Sequence, residues 1–180
     1  TSQRAAMIDY QSGYILRPVN PSFIYISLAI ALLLNFLPWG NHAWVPDWLI
    51  VCIIFWNIHQ HRYVGVITAF VFGILMDIHS GSLLGMHAFS YSLVSYIAIA
   101  WHNRVTALRV SSQILNVFPI FALVSLFPVF MLWVLNEQIH WRGFSSLIQA
   151  IIEALLWPLA NYLLLLPQRR PIDVDPNRPL

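Results

Sequence analysis

Four ionisable residues lie within or beside apolar stretches and could bind a partner or a polar ligand: Asp77, His79, His87 and Glu153. Charged groups are costly to remove from water. A carboxylate or imidazole in apolar surroundings therefore has either an internal hydrogen-bond partner or a binding role. Each of these four residues has both a structural and a functional interpretation.

Asp77 lies in the segment Asp77-Ile78-His79-Ser80-Gly81, where an apolar run ends. As a structural residue it would cap the following turn by accepting backbone N–H bonds from Ser80 or Gly81. As a functional residue it would make a charged contact with a partner or a polar ligand. An Asn variant separates the two roles, because Asn caps equally well but binds a cationic partner more weakly. The sequence favours the second role, which predicts a stable Asp77→Asn protein that binds less partner.

Glu153 is a carboxylate well inside an apolar run, and His87 lies a few residues into another run. If the two helices are neighbours, the sequence allows a Glu153–His87 hydrogen bond. The alternative, which we favour, is a protonated Glu153 bonded to a hydroxyl group such as that of Ser90 or Tyr91, since burial favours the neutral form of a carboxyl group.

The sequence contains no recognisable catalytic, metal or phosphate motif. Seven histidines are present, but no His-Glu-x-x-His pair or Cys/His cluster groups them, and Cys52 is the only cysteine. No Gly-x-Ser-x-Gly elbow frames a serine, and the sequence has no lysine to serve a phosphate-binding loop. The formal charge of +2 is too small to indicate nucleic-acid binding. We therefore predict neither enzymatic activity nor a cofactor.

Small residues recur every four positions in the third apolar run, at Gly65, Ala69 and Gly73, and the series ends at Asp77. On a helix these residues form one stripe, and small residues let helix backbones approach closely within a membrane. The stripe favours packing inside the protein over an interface between copies of a homo-oligomer. We include two glycines of the following turn, Gly81 and Gly85, among the packing residues.

The elements that carry these residues are apolar helices. Hydrophobic residues make up 59% of the 180-residue chain and charged residues only 9%, against about 25% charged in a soluble domain. The apolar residues form six runs: 23–37, 48–58, 63–76, 83–101, 110–135 and 144–166. This pattern predicts an all-α, polytopic membrane protein with six transmembrane helices between residues 22 and 166.

Arginine positions decide between six membrane crossings and five. With six crossings, only Arg142 lies on one side, and the other eight arginines share the opposite side: Arg4, Arg17, Arg62, Arg104, Arg109, Arg169, Arg170 and Arg178. With five crossings, Arg62 would be buried in the membrane. The positive-inside rule therefore favours six crossings with both chain ends in the cytoplasm. Residues 1–21 would then be a cytoplasmic segment and residues 167–180 a disordered cytoplasmic tail.

The segment from Phe72 to Ala88 resembles the rod shape-determining protein MreD family. A Gly–Asp pair closes one helix, a turn of small residues follows, and Leu84-Gly85 opens the next helix. The resemblance extends to the chain length, the six apolar runs, the Pro-Val-Asn-Pro segment at 18–21 and the Leu-Leu-Trp-Pro-Leu-Ala segment at 155–160. The central motif is moderately specific, and with length and topology it makes a strong match over the whole chain.

This resemblance implies a non-catalytic component of the bacterial inner membrane that belongs to the peptidoglycan-building elongation machinery. Expected partners are the bitopic protein MreC, the actin-like MreB, and the glycosyltransferase and transpeptidase of that machinery. The resemblance also implies a membrane fold similar to the substrate-binding subunit of energy-coupling-factor transporters. That fold and the polar residues on the outer side leave a small-molecule binding or transport subunit as the alternative to a scaffold.

Overall fold

The computed structural model describes residues 14–16, 19–38, 45–135 and 142–171. Within these ranges the chain forms six α-helices, which confirms the predicted helical fold. They are α1 (Pro21–Phe36), α2 (Trp48–His59), α3 (Val66–Ser80), α4 (Met86–Thr106), α5 (Val110–Val134) and α6 (Arg142–Leu165). Asn20 caps the start of α1, because its side chain accepts the N–H of Ser22 at 3.1 Å.

A short antiparallel strand pair joins the two ends of the helical body. β1 (Tyr14–Leu16) pairs with β2 (Arg169–Pro171), and a 3-10 turn (Leu166–Gln168) connects α6 to β2. Residues 167–171 thus have regular structure where the sequence predicts a disordered tail, because backbone pairing with β1 fixes them. The rest of the predicted tail, residues 172–180, lies outside the described residues.

The central helix of the bundle is α2, although it is the shortest. Nine of its twelve residues are buried, and it packs against α1, α4 and α6. At the α-helical rise it spans about 18 Å, well below the ~30 Å apolar core of a bilayer. Its first turn lies inside the bundle, so the backbone N–H groups there need partners from within the protein.

The helices α3 and α4 approach closely at Gly73. A Cβ atom placed on Gly73 would lie 2.4 Å from the Cα atom of Ala88 and 2.6 Å from its backbone nitrogen. These are backbone atoms of α4, so no side-chain rotation could relieve the contact. Ala69 is also fully buried, so this part of the stripe serves internal packing. A Cβ on Gly65 would meet no atom of the described residues within 4 Å, so the close approach at Gly73 does not extend to Gly65.

The bundle has two chemically different ends. At one end, Arg62 lies in the α2–α3 turn, Arg104 in the last turn of α4, and Arg109 at the start of α5. The rings of His61 and His102 lie 4.9 Å apart, which places that turn beside the end of α4. We call this region, residues 60–65 and 102–109, the arginine end. The opposite end, where α3 finishes and α4 begins, is the carboxylate end.

Two described helical segments are long and apolar enough to cross a membrane, Val110–Val134 and Phe144–Gln168. The helices α1, α2 and α3 are apolar but shorter, with 16, 12 and 15 residues. Length and composition therefore identify two candidate membrane spans in the described part of the chain. The six crossings stay a prediction.

Candidate functional site

A group of polar side chains lies at the carboxylate end, where five helices meet. We call it the carboxylate cluster, and its members are Asn35, Asp47, Asp77, His87, Tyr91, Gln149 and Glu153. Three of these residues are acids, and the ion pair found among the described residues joins Asp77 to His87. The cluster therefore contains more acidic than basic groups.

Asp77, in the last turn of α3, caps the start of α4. Its Oδ2 accepts N–H bonds from Gly85 (2.8 Å) and Ala88 (3.3 Å), and its Oδ1 accepts the backbone N–H of His87 (2.8 Å). These donors belong to the first turn of a helix, which leaves its N–H groups without partners inside the helix. The carboxylate also lies at the positive end of the α4 dipole, which stabilises a negative charge.

Two side chains complete the surroundings of Asp77. Nδ1 of His87 lies 2.9 Å from its Oδ1, and the Ser82 hydroxyl donates to the same oxygen at 3.0 Å. Five donors thus surround a residue with only 1% of its surface exposed. The sequence predicts a charged contact between Asp77 and a partner, but neither carboxylate oxygen of Asp77 is exposed to make it. The geometry supports the cap, with donors from the start of α4 instead of the preceding turn.

Side chains from three helices hold the start of α2. Asp47 accepts the N–H of Ile50 at 3.1 Å and the side-chain amide of Asn35 at 2.6 Å, both on Oδ1. The side-chain oxygen of Asn35 accepts the N–H of Trp48 at 3.0 Å. The Tyr91 hydroxyl donates to the other carboxylate oxygen of Asp47. Asp47 therefore links α1 and α4 to the start of the central helix.

Glu153, on α6, is completely buried beside Asp47. Its Oε1 accepts the backbone N–H of Asp47 and the side-chain amide of Gln149, each at 3.0 Å. Its Oε2 is buried and has no hydrogen-bond partner among the described residues. Glu153 thus attaches α6 to the start of α2 through one of its two oxygens.

The partners that the sequence suggests for Glu153 are engaged elsewhere. His87 bonds to Asp77, and the Tyr91 hydroxyl donates to a different carboxylate. The Ser90 hydroxyl donates to the backbone oxygen of His87. Neither a Glu153–His87 bond nor a bond from Glu153 to the hydroxyl of Ser90 or Tyr91 is present, because α6 reaches the cluster through α2.

The other candidate residues surround the turn between α3 and α4. His79 is exposed, and its ring stacks on that of Phe36 with centroids 4.3 Å apart. Gly81 and Gly85 have φ angles of +62° and +102°, a region that glycine tolerates best. No atom lies within 4 Å of a Cβ placed on either glycine. They shape the turn and do not serve close helix packing, contrary to the prediction.

Sequence reasoning missed three members of the cluster: Asn35, Asp47 and Gln149. Asp47 carries a usable signal, because it directly precedes an apolar run, which is the position of a helix cap. Asn35 and Gln149 are polar residues within apolar stretches, and nothing in their spacing indicates their partners.

The cluster caps the starts of α2 and α4 and joins helices to one another. Five of the six oxygens of its three carboxyl groups accept hydrogen bonds, and the sixth is Oε2 of Glu153. In the described ranges, no three His, Cys, Asp or Glu side chains are grouped so that they could hold a metal ion. The geometry therefore indicates hydrogen bonding as the chemistry of this site.

Comparison with known proteins gives two matches. The sequence model of the family described as rod shape-determining protein MreD matches residues 16–166. The Rod shape-determining protein MreD of Haemophilus influenzae is 27% identical over 148 residues, which cover 81% of this chain and 89% of that protein. No solved structure matches, so the expected similarity to the transporter subunit stays a prediction. The family match includes all six helices, and on this basis the chain belongs to the rod shape-determining protein MreD family.

Proposed function

We propose that this chain is a non-catalytic membrane scaffold that takes part in determining rod cell shape. The observation that carries the proposal is the family match over residues 16–166, which includes the whole helical body. The carboxylate cluster supports a scaffold as well, because its polar groups are used to end and join helices. A rigid bundle with short connections suits a protein that holds other proteins in place.

The proposed topology has six crossings, with the arginine end in the cytoplasm and the carboxylate end outside. The arginine positions support this topology. Arginine occurs in the α2–α3 turn, at the end of α4 and at the start of α5, and these three segments lie at one end of the bundle. Arginine in short loops is retained on the cytoplasmic side. The short α2 can still take part in a crossing, because its neighbours cover its ends and satisfy its backbone groups.

Cysteine labelling tests this topology. In a chain whose Cys52 is replaced by Ala, single cysteines at positions 4, 62, 109 and 178 should resist a membrane-impermeant thiol reagent added to spheroplasts. A cysteine at position 79, exposed at the carboxylate end, should react. Labelling at positions 62 or 109 without lysis would contradict the topology.

The proposed partner within the membrane is the bitopic protein MreC, and through it MreB and the peptidoglycan glycosyltransferase and transpeptidase. The described connections are short, so contacts with partners must use helix faces. One face of α3 offers an exposed apolar stripe formed by Ile67, Val71, Leu75 and Ile78, at helical spacing. This stripe lies opposite the face that packs at Gly73.

Photo-crosslinking tests the partner proposal. A photoreactive amino acid at Ile67 on α3, Leu84 before α4, or Leu115 on α5, three well-exposed positions, should give an MreC adduct from at least one position. The matched control is Ala69, which is fully buried in α3 and should give none. If all three exposed positions crosslink only to lipid, the chain does not bind MreC through these faces and the proposal fails.

The alternative function, a small-molecule binding or transport subunit, has less support. An open pocket between the start of α4 and the end of α5 is lined by apolar residues, among them Leu83, Met86, Phe127 and Met131. A polar ligand would find few hydrogen-bond partners there. Saturable stabilisation of the purified protein by a small polar molecule would favour this alternative over the scaffold.

A further inference from the structure

Glu153, which is fully buried, and Asp47, which is half-buried, are neighbouring acids without a basic partner among the described residues. The two groups are close, because Oε1 of Glu153 accepts the backbone N–H of Asp47 at 3.0 Å. Burial disfavours the charged form of the Glu153 carboxyl group, and a neighbouring acid disfavours it further, so the neutral form of Glu153 is favoured.

Other titratable groups face Glu153 and Asp47 from the packed helices, and the basic one among them, His87, lies against Asp77. Tyr91 and His87 approach from α4, and Asp77 from α3; Cys52 lies on α2 itself. Asp77 already accepts a bond from the His87 ring. At this end of the bundle α1 contributes only the amide of Asn35, and α5 contains no titratable residue.

The hydrogen bonds distinguish the two acids. Asp47 accepts bonds from Ile50, Asn35 and Tyr91, which use both of its oxygens, and it caps the positive end of α2. Glu153 accepts two bonds on Oε1 and none on Oε2, although Oε2 is fully buried. Glu153 is therefore the better place for a proton.

We propose that the carboxylate cluster is a proton-binding site in which Oε2 of Glu153 carries the proton, next to Asp47. The neutral acid still accepts the Asp47 N–H through Oε1, so α6 stays attached to the start of α2. Loss of the proton would put a negative charge beside Asp47 and weaken that attachment. This site does not depend on the proposed binding of MreC.

Stability should then fall as pH rises. The folded chain holds the proton, whereas the solvated glutamate of the unfolded chain releases it below neutral pH, so unfolding releases a proton and higher pH favours it. Between pH 6 and pH 9, the melting temperature of the wild-type protein should fall more than that of Glu153→Gln. Gln keeps an acceptor for the Asp47 N–H and has no proton to lose.

Infrared spectroscopy of the purified protein tests the assignment at neutral pH. A protonated carboxylic acid has a carbonyl band well separated from the amide and carboxylate bands. We expect this band in the wild-type protein and its loss in Glu153→Gln. The sequence has two glutamates, so Glu137→Gln is the matched control and should keep the band. Incorporation of carboxyl-13C glutamate should shift the band in the wild-type protein, which tests the assignment without a variant.

Three outcomes would overturn the proposal. The wild-type protein could lack the band at neutral pH, or the band could persist in Glu153→Gln or be unaffected by labelled glutamate. A band that appears only after sodium ions are removed would mean that a metal cation, and not a proton, neutralises the pair.

Discussion

Replacing Gly73 with alanine is expected to lower the melting temperature of the purified protein by about 5 °C or more, and leucine by more than alanine. The added Cβ would lie 2.4 Å from the Cα atom of Ala88, so α3 would have to move away from α4. An alanine inside a helix is otherwise favoured over glycine by about 0.5–1 kcal/mol, so any loss of stability measures the steric effect.

Gly65→Ala is the matched control for Gly73→Ala. Gly65 belongs to the same stripe of small residues, but a Cβ there meets no atom within 4 Å. Gly65 is the N-cap of α3, a position where Ala is less favourable than Gly, so we expect a small fall in melting temperature that is clearly less than that of Gly73→Ala. If Gly73→Ala behaved like Gly65→Ala, the close approach of α3 and α4 would be absent from the protein.

Replacing Asp77 with alanine should destabilise the protein by about 3 kcal/mol or more, because each buried donor that loses its acceptor costs about 1–3 kcal/mol. Three backbone N–H groups at the start of α4 depend on this carboxylate, from Gly85, His87 and Ala88. Asp77→Asn should have an intermediate effect. Asn keeps one acceptor oxygen, but its amide group would face donors in place of the other oxygen.

His79→Asn is the control for Asp77→Asn, since it introduces the same residue two positions along, at an exposed site. We expect it to change the melting temperature little. The paired measurement compares the melting temperature with the amount of MreC recovered by pull-down. A capping role predicts that both fall together in Asp77→Asn. If Asp77→Asn kept its full stability but recovered less MreC, the result would support the charged contact predicted from the sequence.

The sequence predicts the helices well because their ends carry local signals. Asn20-Pro21 begins α1, and the apolar runs coincide with the six helices to within a few residues. The Gly–Asp pair in α3, Gly73 and Asp77, also has structural roles, at the close contact with α4 and at the cap of α4. The hydrogen bonds of Asp77 depend on α4, however, and a local sequence pattern does not identify the donors that another helix supplies.

The sequence does not indicate which helix faces meet. Apolar residues surround most of the helices, so their periodicity does not distinguish a buried face from an exposed one. Asp47 and Glu153 are 106 residues apart, and Asn35 and Asp47 belong to different helices. Only the packed bundle brings these groups together. The sequence does not indicate the strand pair either, because residues 14–16 and 169–171 have no strong strand pattern.

The central claim is that this chain is a scaffold that takes part in determining rod shape. The most direct test is the shape of cells of a rod-shaped bacterium whose own MreD-family gene is deleted. The measured quantity is the length-to-width ratio of cells that express this chain from a plasmid, with its amount in the membrane determined by immunoblotting. The scaffold account predicts that the wild-type chain and Gly65→Ala restore rods, and that Gly73→Leu leaves rounded cells. Rounded cells despite a normal amount of wild-type chain in the membrane would contradict it.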